Sequence, residues 1–129
     1  LNQEVLNILV IEDEDATQGI IEEALTDAGF YPVIAASGEE AVTLLQAERD
    51  RYRALVTDIN LRGSLDGWEV ARRARTSSPE FPVVYISGAS GGDWSSKGVP
   101  NSIMLQKPFA PAQLVTAISQ LLNTGTLAP

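Results

Sequence analysis

The side chains with the clearest chemical potential in this sequence sit where apolar runs end. Glu12 and Asp13 follow the run LNILVI at 6–11, Asp58 follows ALVT at 54–57, and Ser87 follows PVVYI at 82–86. Lys107 comes two residues after the short run SIML at 102–105 and is joined to Pro108. If these runs are neighbouring strands, Glu12, Asp13 and Asp58 converge. Carboxylates brought together without a cation repel until one of them holds its proton. A hard divalent cation relieves the repulsion, and magnesium suits a site of one or two carboxylates, a carbonyl, waters and a phosphate. Lys107 offers a positive charge to the carboxylates or to a phosphate, and a Lys-Pro pair invites a cis bond that would aim the lysine inward. The Ser87 hydroxyl is able to bond a phosphate oxygen, although a serine there also serves as a plain turn residue. Taken singly, each group is equally an ordinary solvated side chain at a strand end. Their shared placement is the signal.

That placement depends on the elements between them. Residues 6–11 are apolar almost throughout, the pattern of a strand buried on both faces. Asp15 and Gln18 read as a helix cap and its partner, and Ile20, Ile21, Ala24, Leu25 and Ala28 as an apolar stripe ending at Gly29. The phrase then recurs. Tyr31–Ala35 is the second strand, Ser37 and Glu40 form a capping box, and Ala41, Leu44 and Leu45 line the next helix. The third strand, at 54–57, leads into Asp58, and a further box at Asp66 and Glu69 opens a helix with Val70, Ala71 and Ala74 inward. Strands four and five fall at 82–86 and 102–105. Pro111 suits the first turn of a last helix that buries Leu114, Ala117, Ile118, Leu121 and Leu122.

Apolar strands alternating with helices specify an α/β fold, a doubly wound five-stranded parallel sheet with right-handed crossovers. The common order is 2-1-3-4-5, with the switch point at the carboxyl ends of strands one and three. The segment SGGDWSSKG at 90–98 has poor helix propensity, so the fourth helix is expected to be short or irregular. One domain over residues 5–123 is expected, with fraying tails at 1–4 and 124–129.

Composition narrows the chemistry. With 129 residues, 44% apolar and 20% charged, the chain suits a single domain with a true core. A formal charge of −8 argues against direct contact with nucleic acid or with anionic membranes. Cysteine and histidine are both absent, which excludes disulfides, thiolate sites, Ser-His triads and His-ligated zinc. A metal here must be held by oxygen. No apolar run approaches the roughly 20 residues of a membrane span and no signal peptide is visible, so a cytoplasmic location is expected.

Five segments together resemble the response regulator receiver family, with its CheY-like (flavodoxin-like) fold. They are ILVIEDE at 8–14, LVTDINL at 55–61, Asp66-Gly67, VVYISG at 83–88 and Lys107-Pro108-Phe109, in family order and spanning about residues 5 to 123. The resemblance implies that Asp58 is the phosphoacceptor of a two-component or phosphorelay system. It implies a magnesium ion bound directly by Asp13, Asp58 and the backbone carbonyl of Asn60, and by Glu12 through water. Ser87 would turn its hydroxyl to the phosphoryl group and Lys107 would contact it. The implied donor is a phosphohistidine on a histidine kinase or histidine phosphotransfer protein, since this chain has no histidine. No independent substrate turnover is implied, only phosphorylation and dephosphorylation of the chain itself. The side chains of Asn60 and Ala89 flank the family's path for the hydrolytic water.

The match has gaps. The family's aromatic residue three positions before the lysine is Met104 here, and the stretch from Ser87 to Lys107 is short and Gly-rich. A downstream protein is expected to meet this altered face, around residues 90–106. Gly63-Ser64-Leu65 lengthens the loop after Asp58. Trp68 reads as a packing residue, whereas Trp94 is a candidate for partner contact. Other readings stay open. A receiver fold serving as a binding module without phosphorylation would keep its partner affinity in Asp58→Asn. An aspartyl-phosphate-type phosphatase would need a second aspartate where Asn60 stands. A flavodoxin-like nucleotide binder would want Gly, Ser or Thr where Glu12 to Asp15 stand.

Overall fold

A computed structural model describes residues 5–88 and 91–126. The strands are β1 (Asn7–Ile11), β2 (Tyr31–Ala35), β3 (Tyr52–Asp58), β4 (Val83–Ser87) and β5 (Ile103–Gln106). The helices are α1 (Asp15–Asp27), α2 (Gly38–Ala47), α3 (Gly67–Ser77), the one-turn α4 (Trp94–Lys97) and α5 (Pro111–Thr126). Every strand pairing is parallel, in the order β2-β1-β3-β4-β5. This is the doubly wound arrangement that the alternation of patterns predicts.

Successive residues of the strands enter two cores in turn, as a sheet covered on both faces requires. Leu9, Ile11, Leu55, Val83 and Tyr85 point into one core, which α2 and α3 cover with Ala41, Leu45, Trp68, Val70 and Ala74. Ile8, Val10, Val56, Val84 and Ile86 point into the other, covered by Ile21 and Leu25 of α1 and by Leu114, Ala117 and Ile118 of α5. Trp68 is a packing residue: it is buried, with its ring centroid 4.7 Å from that of Tyr85. No described helix is long and apolar enough to cross a membrane.

Several local expectations need correction. Asp15 does not cap α1; it is the first helical residue, the extended cap position belongs to Glu14, and the Gln18 side chain donates instead to the Glu12 carbonyl at 2.6 Å. Ile20 is 50% exposed and Ala28 is exposed as well, because the inward stripe runs through Ile21, Ala24 and Leu25. Ile20 stands one residue, about 100° of helical turn, away from that stripe. Ser37 caps α2 as expected, its Oγ accepting from Glu40 N–H at 3.1 Å, but the Glu40 carboxylate reaches one residue further back than a capping box requires, to Ala36 N–H at 2.7 Å. At α3 only half of the box exists. Asp66 accepts from Glu69 N–H, while the Glu69 carboxylate turns forward to Arg72 and Arg73.

The fourth helix is a single turn preceded by a 3-10 turn, Gly91–Asp93, as its glycines and serines predict. Trp94 is 38% exposed and its indole N–H donates to Ser102 Oγ at 2.9 Å. Met104 packs on the edge of the first core, beside Tyr85 in the strand register. The wholly buried ring of Tyr85 lies in that core, and its hydroxyl accepts from Val99 N–H at 3.1 Å. Helix α5 continues to Thr126, so residues 124–126 are helical rather than a frayed tail. The expected tails at 1–4 and 127–129, and Ala89, lie outside the described residues.

Candidate functional site

The parallel register brings the strand ends together. Ile11 lies opposite Thr57, Asp58 opposite Ile86, and Ser87 opposite Gln106, so Glu12, Asp58, Ser87 and Lys107 crowd one edge of the sheet. Asp58 is 6% exposed. Its Oδ1 accepts from Asn60 N–H at 3.1 Å and its Oδ2 from Lys107 Nζ at 2.7 Å. The lysine backbone is tied to the neighbouring strand through its own N–H, which donates to the Ser87 carbonyl at 2.8 Å, and the Lys107–Pro108 bond is cis. The Ser87 side chain is buried at the end of β4. The Asn60 side chain is exposed.

One ammonium serves three carboxylates. Besides Asp58, Lys107 Nζ lies 3.3 Å from Glu12 Oε1 and 3.3 Å from Glu14 Oε1. Glu12 is completely buried, and its Oε2 accepts from Glu14 N–H at 3.1 Å. Its Oε1 is within ion-pair reach of the lysine but has no hydrogen-bond partner. Burial raises the Glu12 carboxyl to about 6 and the charge of Asp58 adds to the rise, against the Glu14 N–H and Lys107, which lower it. For Lys107, burial alone would lower the ammonium. The bond to Asp58, with the charges of Asp58 and Glu12, outweighs burial and holds it above its ordinary value.

The arrangement differs from the expectation at Asp13. Its carboxylate accepts from Arg62 N–H at 3.1 Å, with Arg62 Nε at 3.8 Å, and so faces the loop after β3. Glu14 takes the third place instead: Glu12, Glu14 and Asp58 each offer an oxygen, all within 4.8 Å of one another. The acidic run Glu12-Asp13-Glu14-Asp15 held that signal, since alternate residues just past a strand point the same way. Gly67, at the start of α3, is a further site residue. A Cβ there would lie 2.2 Å from the Asp58 carbonyl oxygen, so only glycine allows α3 to start against the acidic residue.

The donor set fits a magnesium ion. All ligands available are oxygens, and a buried carboxylate oxygen without a hydrogen bond, Glu12 Oε1, faces the cluster's only close cation among the described residues. Lys107 by itself leaves three carboxylates sharing one positive charge.

Comparison with known proteins agrees with this geometry. The family model for the response regulator receiver domain matches residues 8–119. A solved response regulator receiver protein from Sinorhizobium medicae is 47% identical, with a TM-score of 0.90, over 93% of this chain and 96% of that one. The transcriptional activator protein IrlR of Burkholderia pseudomallei is 33% identical over 93% of this chain, and the transcriptional regulatory protein CusR of Escherichia coli is 29% identical over 93%. The chain spans about half the length of these curated relatives, 52% in each case. A family match that covers nearly every element, and an acidic cluster capped by one lysine at the switch point of a 2-1-3-4-5 sheet, lead to one assignment: the chain belongs to the response regulator receiver family.

Proposed function

We propose that residues 5–123 act as a phosphorylatable receiver, accepting a phosphoryl group from a phosphohistidine onto Asp58 and altering partner contacts in response. The observation that carries this reading is the 2.7 Å bond from Lys107 Nζ to a nearly buried Asp58 carboxylate, within a cluster that holds more negative charge than it neutralises. An Asp58 oxygen attacks phosphorus in line. The P–N bond to the donor imidazole breaks, its electron pair leaves with the ring nitrogen, and an acyl phosphate remains on Asp58. Lys107 exchanges its carboxylate bond for the incoming phosphoryl oxygens, and Ser87, buried at the end of β4, turns its hydroxyl to the phosphoryl group. Asp58, Asp13 and the Asn60 carbonyl would hold magnesium, with Glu12 through water; Arg62 engages only Oδ2 of Asp13, and Glu14 is a further oxygen donor. The ion supplies charge neutralisation for the transferring group.

The donor is a histidine kinase or a histidine phosphotransfer protein in the cytoplasm. Exposed Ile20 with Pro108 and Phe109 forms an apolar rim beside Lys107, a surface suited to such a partner. The downstream protein meets the face around residues 90–106, where a one-turn helix leaves Trp94 partly uncovered. Beryllofluoride with magnesium, a stable mimic of the acyl phosphate, tests the reading through tryptophan fluorescence. A saturable change that is absent in Asp58→Asn is the expected result, and a change that survives the substitution would contradict it.

A further inference from the structure

The loop from Ile59 to Gly67 carries Asn60 and must be held in shape if its carbonyl is to serve a metal. Its neck is closed by Gly67 N–H donating to the Ile59 carbonyl at 2.9 Å. Its tip is held by a residue of a different element. Glu39, in the first turn of α2, accepts from both Ser64 N–H and Ser64 Oγ at 2.8 Å, through one carboxylate oxygen. The loop is shaped to receive that carboxylate. Gly63 has φ +98, and a Cβ there would stand 2.7 Å from Glu39 Oε1. Next to it, a Cβ on Gly38 would stand 2.7 Å from the Leu65 carbonyl oxygen, so the start of α2 and the loop are in direct backbone contact. Between this clasp and Asn60 lies Arg62, whose N–H holds the Asp13 carboxylate. The Ser64 N–H and hydroxyl keep the Glu39 carboxyl below its ordinary range, which agrees with a bond made to the charged form.

We propose that Glu39 is a positioning residue for magnesium: by clasping Ser64 it holds the segment of residues 60–64 in the conformation that presents the Asn60 carbonyl and sets the Arg62 N–H against Asp13. This rests on the receiver reading above. A loop left free must be ordered when the ion binds, and that entropy is taken from the affinity. Glu39 touches none of the cluster carboxylates in the contacts described, so its effect passes through the loop.

The test is calorimetric titration of the full chain with magnesium chloride. Glu39→Ala should weaken binding about threefold to tenfold, the effect of losing one or two modest hydrogen bonds. Glu39→Gln retains one carbonyl oxygen able to accept from Ser64 and should recover part of the loss. Glu23→Gln, on the exposed side of α1, makes the same charge change as Glu39→Gln and should stay within about twofold of wild type. At saturating magnesium, the rate of phosphorylation of Glu39→Ala by acetyl phosphate should return close to wild type. A Glu39→Ala affinity equal to wild type overturns the proposal, even if the urea midpoint falls, since the clasp would then be only structural. If the wild type itself binds no magnesium, the receiver reading has failed, and this inference with it.

Discussion

Replacing Glu12 by glutamine should stabilise the protein at neutral pH. Glu12 is completely buried, and its carboxyl titrates at about 6 instead of the ordinary 4.5. The folded protein thus binds this proton more tightly than the unfolded chain does, and stability is lost as the pH rises through the folded value. That rise, from 4.5 to about 6, corresponds to about 2 kcal/mol of cost for the ionised carboxylate at pH 7. Glutamine keeps the shape and an oxygen to accept the Glu14 N–H, but carries no charge next to Asp58. Urea denaturation should show Glu12→Gln more stable by about 2 kcal/mol at pH 7, by less than about half that at pH 5, and by almost nothing at pH 4. Added magnesium should narrow the gap at pH 7, because an ion bound to the folded state stabilises the wild type more than a variant missing one carboxylate. A variant no more stable than wild type at pH 7, or a gap that does not change with pH, would refute the account of a strained acidic cluster.

Two other substitutions probe the framework of the site. Gly67→Ala puts a methyl 2.2 Å from the Asp58 carbonyl oxygen, so α3 must shift; the expected loss is about 1–3 kcal/mol of stability with a marked drop in phosphorylation, and an unchanged urea midpoint would contradict it. Tyr85→Phe leaves the buried Val99 N–H without its acceptor. It should cost about 1–3 kcal/mol in urea and speed hydrogen exchange at Val99, whereas exchange as slow as in wild type would show that the hydroxyl is dispensable.

The sheet was legible because its central strands β1, β3 and β4 are buried on both faces and read as continuous apolar runs, and the strand order then follows from the general rule for five strands. Once the order is known, Glu12, Asp58, Ser87 and Lys107 need only their positions at run ends to be brought together. What escaped the sequence depends on single-residue geometry or on distant partners. Asp13 and Glu14 are adjacent acids, yet Asp13 accepts from Arg62 of another loop while Glu14 stands in the cluster with Glu12 and Asp58. The start of α1 moved by one residue because Glu14, not Asp15, adopts the extended cap conformation. Glu39 and Ser64 look like ordinary surface residues until the fold sets α2 beside the loop after β3. Tyr85 replaces little that a pattern could reveal, since a tyrosine inside an apolar strand shows nothing of its bond to Val99.

Asp58 is expected to accept a phosphoryl group with the help of magnesium. Intact-mass measurement after incubation with acetyl phosphate, with and without magnesium, on wild type and Asp58→Asn, addresses it most directly. The expected result is a gain of one phosphoryl group that requires magnesium and disappears in Asp58→Asn. A gain that persists in the variant, or no gain in the wild type with either acetyl phosphate or a phosphohistidine donor, would contradict it.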